Sequence, residues 1–166
     1  MQIFIIIKIM NKLFVLASLF AGSFASKNDF PSFDTFHANC AMKVTYKGQE
    51  CGTVLTALES KIKTLTPDPQ SKGLYAIKED GNDYVWTTRT TPTKHYIDDI
   101  IFETEASNGD CLITSKSRSE TLSYYDYETN YCNMWTVHND VGGFSDLQTS
   151  DCTFVPTDPV SRCAVY

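Results

Sequence analysis

The chain has 166 residues, a formal charge of −6, and 42% hydrophobic and 13% aromatic residues, enough apolar material to bury a single core. Its acidic balance and the lack of a basic stripe work against phosphate backbones, so nucleic acid is excluded as an expected partner.

Residues 1–25 read as a secretory signal: Lys8 and Lys12 precede the apolar run Leu13–Ala21, and Ser23-Phe24-Ala25 supplies small residues for cleavage before Ser26. Met10 is an alternative start. The competing reading is a membrane anchor, because Ile3–Ile9 lengthens the apolar stretch; Lys8, Asn11 and Lys12 interrupt it, and no stable membrane span is expected after signal removal. Losing Lys8 and Lys12 with this segment takes the formal charge from −6 to −8. Residues 26–166 then form one secreted, extracellular domain.

Cys40, Cys51, Cys111, Cys132, Cys152 and Cys163 all follow the signal. An even number in an exported chain points to three disulfides. Pairing by proximity gives Cys40 with Cys51 and Cys152 with Cys163, leaving Cys111 with Cys132. Close Cys-x-x-Cys or His spacings are missing, and His37, His95 and His138 are scattered, so neither a metal nor another cofactor is expected. There is no Asn-x-Ser/Thr sequon after the signal.

Residues 26–35 read as a loose arm, and Thr35–Tyr46 alternates well enough for a first strand. From Cys51 the period changes. Val54, Leu55, Leu58, Ile62 and Leu65 recur at helical spacing, Glu59 and Lys63 pair along the outer face, and Pro67 stops the run. Leu74–Lys78 and Asp83–Thr88 flank Asp80-Gly81; a two-residue loop there sets Lys78 opposite Asp83, Ile77 opposite Tyr84 and Tyr75 opposite Trp86.

A second hairpin turns at Asn108-Gly109, with paired positions summing to 217. One face carries Asp98, Ile100, Phe102, Thr104, Cys111, Ile113, Ser115, Ser117 and Ser119 and should meet the helix. The other carries Asp99, Ile101, Glu103, Lys116 and Arg118 and should meet water or a partner, with Asp99 and Arg118 forming a cross-strand ion pair. A tyrosine-rich turn, Ser123–Glu128, follows. Tyr131, Met134, Trp135 and His138 then predict a short second helix, capped by Thr129 or Asn130 and ended before Gly142-Gly143. The remainder has two prolines and two cysteines and is expected to be pinned by disulfide.

The run Asp98-Asp99-Ile100-Ile101-Phe102, the Ser/Arg-rich strand after it, and Tyr124, Asp126 and Asn130 resemble the core of the DUF1499 family. The resemblance implies a small α+β domain without an assigned activity. The family's two strand arginines fall on Ser117 and Thr121 here, with Arg118 between them; its glycine before the tyrosine is Ser123, and Tyr131 and Cys132 stand where basic residues follow the asparagine.

The candidate functional residues are Asp98, Asp99, Arg118, Tyr124, Tyr125, Asp126, Tyr127 and Asn130. Asp98 lies on an apolar row, where an ionised carboxylate must find a partner or take up a proton; it either fixes the register through Ser119 or acts as an acid/base. Asp126 and Asn130 organise the turn and cap the helix behind it. Three tyrosines around a wet cleft suit a sugar or another small amphipathic ligand. No Gly-x-Ser-x-Gly elbow, glycine-rich phosphate loop or free thiol is expected.

The expected fold is therefore α+β: an antiparallel sheet of four to five strands, one amphipathic helix across it, a short second helix and three disulfides. The leading functional expectation is a non-catalytic module that binds an unknown protein or small amphipathic ligand through the charged sheet face and the tyrosine turn. The alternatives are an acid/base or hydrolytic enzyme using Asp98, Asp126 and His95, and a structural component of an extracellular coat.

Overall fold

The computed structural model describes residues 26–166; the expected signal segment, 1–25, lies outside the described residues. Six antiparallel strands form one sheet in the order β2-β3-β4-β5-β1-β6. They are β1 (Asn39–Tyr46), β2 (Leu74–Asp80), β3 (Tyr84–Thr90), β4 (Ile97–Ser107), β5 (Asp110–Ser119) and β6 (Ser145–Ser150). The helices α1 (Cys51–Thr64), α2 (Thr129–Val141) and α3 (Pro159–Cys163) complete the α+β fold. Among the described residues no helix is long and apolar enough to cross a membrane.

The core lies between the sheet and the first two helices. Val54, Leu55, Leu58 and Ile62 of α1 are buried against Met42 and Val44 of β1, Ile100 and Phe102 of β4, and Ile113 of β5. Each such side chain contributes about 1.5–3 kcal/mol by leaving water. Leu65 is the C-cap of α1, and Lys63 meets Glu59 at 3.8 Å along the exposed face, as the four-residue spacing predicts.

The second hairpin has the expected register throughout, from Asp98 opposite Ser119 to Ser107 opposite Asp110. Its loop is built on two left-handed residues, Asn108 at φ 52° and Gly109 at φ 87°, the backbone an Asn-Gly turn favours. The first hairpin differs from expectation. Tyr75 pairs with Arg89 and Ile77 with Thr87; beyond a bulge at Lys78, Glu79 pairs with Trp86 and Asp80 with Val85. Gly81 serves packing rather than a two-residue turn, since a Cβ there would lie 2.2 Å from the Tyr84 ring. The shift puts Trp86 on the face away from the helices, where it packs with Tyr84, Ile101 and Phe30 of the arm.

The sheet has six strands rather than four or five. The extra one, β6, pairs with β1 through a run that is mostly exposed and so shows no apolar alternation. The disulfides join Cys40 to Cys152, Cys51 to Cys111 and Cys132 to Cys163, which corrects all three expected pairings. Strand geometry gives the reason. Cys40 opens β1, and at about 3.3 Å per residue the extended strand carries the chain some 20 Å away before Cys51 is reached. Cys111, opposite Tyr46 in the neighbouring strand, waits at that far end.

Candidate functional site

β4 begins, and β5 ends, at the same edge of the helix-covered face. Asp98 therefore lies opposite Ser119, and the chain leaving β5 folds back over them as the tyrosine turn. The result is a cleft of about 290 Å³ lined by Thr91, Tyr96, Asp98, Ser119, Thr121, Leu122, Ser123, Tyr125, Asp126, Tyr127 and Thr129. Its rim is exposed and aromatic: Tyr96, Leu122, Tyr125 and Tyr127 all show more than half of their surface to solvent. The Tyr125 ring is held between Tyr124 and Phe154, at centroid distances of 5.0 and 5.6 Å.

The floor is a closed hydrogen-bond circuit. Asn133 of α2 donates its amide to Asp98 Oδ2 at 2.8 Å and to Ser117 Oγ at 3.0 Å. The Ser117 hydroxyl donates to Asn130 Oδ1 at 2.7 Å, Asn130 Nδ2 donates to Ser119 Oγ at 3.4 Å, and the Ser119 hydroxyl donates to Asp98. Two donor paths end on Asp98, one directly from Asn133 and one through Ser117, Asn130 and Ser119. Burial pushes the Asp98 carboxyl pKa up, while the bonds from Asn133 and Ser119 and the positive charge of Arg89 pull it down.

Asp126 is used differently. Its Oδ1 accepts the Glu128 N–H at 3.3 Å, and its Oδ2 accepts the Asn130 N–H at 3.0 Å and the Asn130 side-chain amide at 2.8 Å. These bonds satisfy free donors at the start of α2, so Asp126, rather than Thr129 or Asn130, caps the helix with its side chain. They also hold two consecutive non-glycine residues, Tyr127 at φ 51° and Glu128 at φ 71°, in the left-handed region. Glu128 is tied down further by an ion pair with Arg162 of α3.

The expected cluster is thus divided. Asp98, Tyr125, Asp126 and Tyr127 line the cleft, and Asn130 is buried in its floor. Tyr124 lines a neighbouring hollow with Asp34 and His37. Asp99 and Arg118 point to the other side of the sheet and do not pair with each other. Asp99 is buried and accepts from Trp86 Nε1 at 2.7 Å and Lys78 Nζ at 2.9 Å, the lysine aimed there from the β2 bulge. Arg118 Nη2 reaches Asp34 at 2.7 Å and His37 Nδ1 at 2.8 Å, and the arginine, followed by the histidine, holds the Asp34 carboxyl well below the usual carboxylate range. The arm explains the correction for Arg118, because Asp34 engages a side chain expected to face water, while Lys27 and Phe30 cover Asp83 and Trp86 on the same side.

His95 is exposed and is not among the residues lining the cleft. His138 lies deep in the core: the Ser115 hydroxyl donates to Met42 O, so His138 Nε2 donates to Ser115 and Nδ1 accepts from the Tyr46 hydroxyl at 3.0 Å. Burial lowers its pKa to about 3. This serine–histidine contact is sealed from any substrate. No group of acids, histidines and cysteines that could hold a metal occurs among the described residues.

Sequence reasoning missed Asn133, although a signal was present. It is a polar residue three positions after Asn130, on the helix face that Tyr131, Met134 and Val137 help bury, and it faces the Asp98–Ser117 row. The Asp34–His37–Arg118 group joins residues more than 80 positions apart and left no local trace. Comparison of the chain with protein-family models, with curated proteins and with solved structures found no match.

Proposed function

We propose that this protein is a secreted, non-catalytic module that binds a small amphipathic ligand in the tyrosine-rimmed cleft. The observation that carries this reading is the contrast between rim and floor. Exposed aromatic surface at Tyr96, Tyr125 and Tyr127 is costly to leave in water, while the carboxylates beneath it are engaged by Asn133, Ser119 and the α2 backbone. The acid/base alternative needs Asp98, Asp126 and His95 to converge with protons free to exchange, and here Asp126 has both oxygens occupied while His95 is not among the lining residues.

Export is supported by the apolar segment at 1–25 together with three disulfides. All six cysteines are paired within the chain, leaving none for the intermolecular bridges of a coat component. The likeness to the DUF1499 family stays part of this proposal, supported by β4 with its paired aspartates lying beside the Ser/Arg-bearing β5.

The test is native mass spectrometry of the protein taken from a secreting culture without reduction, alongside a Tyr125→Ala/Tyr127→Ala double variant. A stoichiometric adduct on the parent chain that disappears in the variant supports the reading. An adduct retained by the variant places the ligand elsewhere and overturns it.

A further inference from the structure

We propose that the cleft selects a methylated ammonium cation, the group carried by choline and its relatives. This rests on the cleft being a ligand site and names the chemistry that site prefers.

Charge is the first argument. The lining includes two carboxylates, Asp98 and Asp126, and no lysine, arginine or histidine. The neighbouring arginines make their side-chain bonds outside the cleft. Arg89 is fully buried behind the floor, where it donates to Ser71, which in turn donates to the buried carboxylate of Asp68. Arg118 is held by Asp34 on the other side of the sheet, and Arg162 by Glu128. The buried Arg89 guanidinium already acts on Asp98, and the N-terminus of α2, equivalent to about +0.5 elementary charge, opposes Asp126, so a net negative charge remains at the turn. The cleft therefore carries a negative potential that repels an anion and that a neutral sugar leaves unused.

The second argument distinguishes kinds of cation. A primary ammonium presents three N–H groups and is held best by a free carboxylate, a charge-assisted acceptor that the serine and threonine hydroxyls of the lining replace only weakly. Asp98 is only 3% exposed and is already bonded to Asn133 and Ser119, and Asp126 accepts three N–H bonds through its two oxygens. A methylated ammonium donates no hydrogen bond. It is stabilised by the field of the carboxylates and by the faces of aromatic rings, and Tyr96, Tyr125, Tyr127 and Leu122 supply rings and apolar contact around the opening. The left-handed backbone at Tyr127 and Glu128 fits the same picture, with strain maintained where a ring must be held over a site.

The test is calorimetric titration of the disulfide-intact protein at fixed ionic strength with choline, with its neutral isostere 3,3-dimethyl-1-butanol, and with methyl glucoside. Choline is expected to bind at least tenfold more tightly than the isostere, and Tyr127→Ala to weaken it at least tenfold; Tyr127 is exposed, so the variant should keep the parent circular dichroism spectrum. A second variant, Asp98→Asn, should narrow the gap between choline and the isostere. Sedimentation with phosphatidylcholine vesicles separates two sources of the group: co-pelleting assigns it to a lipid headgroup, and choline binding without pelleting assigns it to a soluble compound. Equal binding of choline and the isostere, or preference for the glucoside, overturns the cation inference and leaves the cleft as a neutral-ligand site. Absence of binding by all three probes overturns both.

Discussion

Asn133 and Asp98 meet at 2.8 Å across the seam between α2 and β4, one fully buried and the other nearly so. The bond couples the helix carrying the tyrosine turn to the strand forming the cleft floor. Asn133→Leu keeps the branched shape and removes the donor, leaving a buried carboxyl short of a partner. The expected loss is about 2–4 kcal/mol, read from urea denaturation midpoints. Asp98→Asn should cost less, because its amide oxygen can still accept from Asn133 Nδ2 and no buried charge is left short of a partner. An Asn133→Leu variant as stable as the parent would show that the circuit does not hold α2 in place.

His138 sets the response to acid. Its pKa is lowered from 6.5 to about 3 by burial, so between these values the unfolded chain takes up a proton that the folded chain refuses. Stability is therefore unaffected by this group above pH 6.5 and falls as pH drops through the window. The slope is about 1.4 kcal/mol per pH unit, on the order of 5 kcal/mol across the whole range. Asp98 works in the opposite sense: its pKa is raised from 3.8, so its contribution is fully present below that value and is lost as pH rises through the folded one. His138→Gln, which keeps a donor and an acceptor between Tyr46 and Ser115, should flatten the acid limb by one proton in denaturation curves taken at stepped pH.

The disulfides make a prediction open to peptide mapping. Proteolysis without reduction should yield linked peptides joining residues 40 and 152, 51 and 111, and 132 and 163. Unequal sequence separations imply unequal stabilisation. By the chain-entropy argument the 112-residue separation of Cys40 and Cys152 is worth about 5 kcal/mol and the 31-residue separation of Cys132 and Cys163 about 4. Cys40→Ala/Cys152→Ala should also release β6, seen as faster amide exchange at Ser145–Ser150 than in the parent. Unchanged exchange would mean that pairing with β1 alone secures the strand.

What the sequence disclosed follows the range of the interactions involved. The β4–β5 register was readable because Asn108-Gly109 encodes its turn locally and the apolar row from Ile100 to Ile113 must face one way. The β2–β3 register was not, because Gly81 answers to the Tyr84 ring and the bulge at Lys78 answers to Asp99 and Trp86 on neighbouring strands. Half of the expected site converged because Asp98 and the turn at Asp126 are brought to one sheet edge by that same local hairpin. Asp99 and Arg118 separated because Lys78 at the β2 bulge and Trp86 take the aspartate, while Asp34 of the arm, whose sequence has no periodicity to read, takes the arginine.

Tyr127 offers a way to separate binding from folding. Its backbone lies at φ 51°, a conformation that costs a side-chain-bearing residue about 1–2 kcal/mol, and its ring is exposed, so it adds little to the core. Asp126 and Glu128 hold the turn from either side through bonds that do not involve the Tyr127 side chain. Tyr127→Gly removes the steric cost but adds freedom to the unfolded chain, so the fold should be unchanged or up to about 1 kcal/mol more stable. The same substitution deletes one wall of the cleft and should weaken ligand binding at least tenfold. Stability retained with binding lost is the signature of a residue kept strained for recognition. A Tyr127→Gly variant that binds as the parent does would assign the left-handed turn to helix capping alone, and the ring to the solvent.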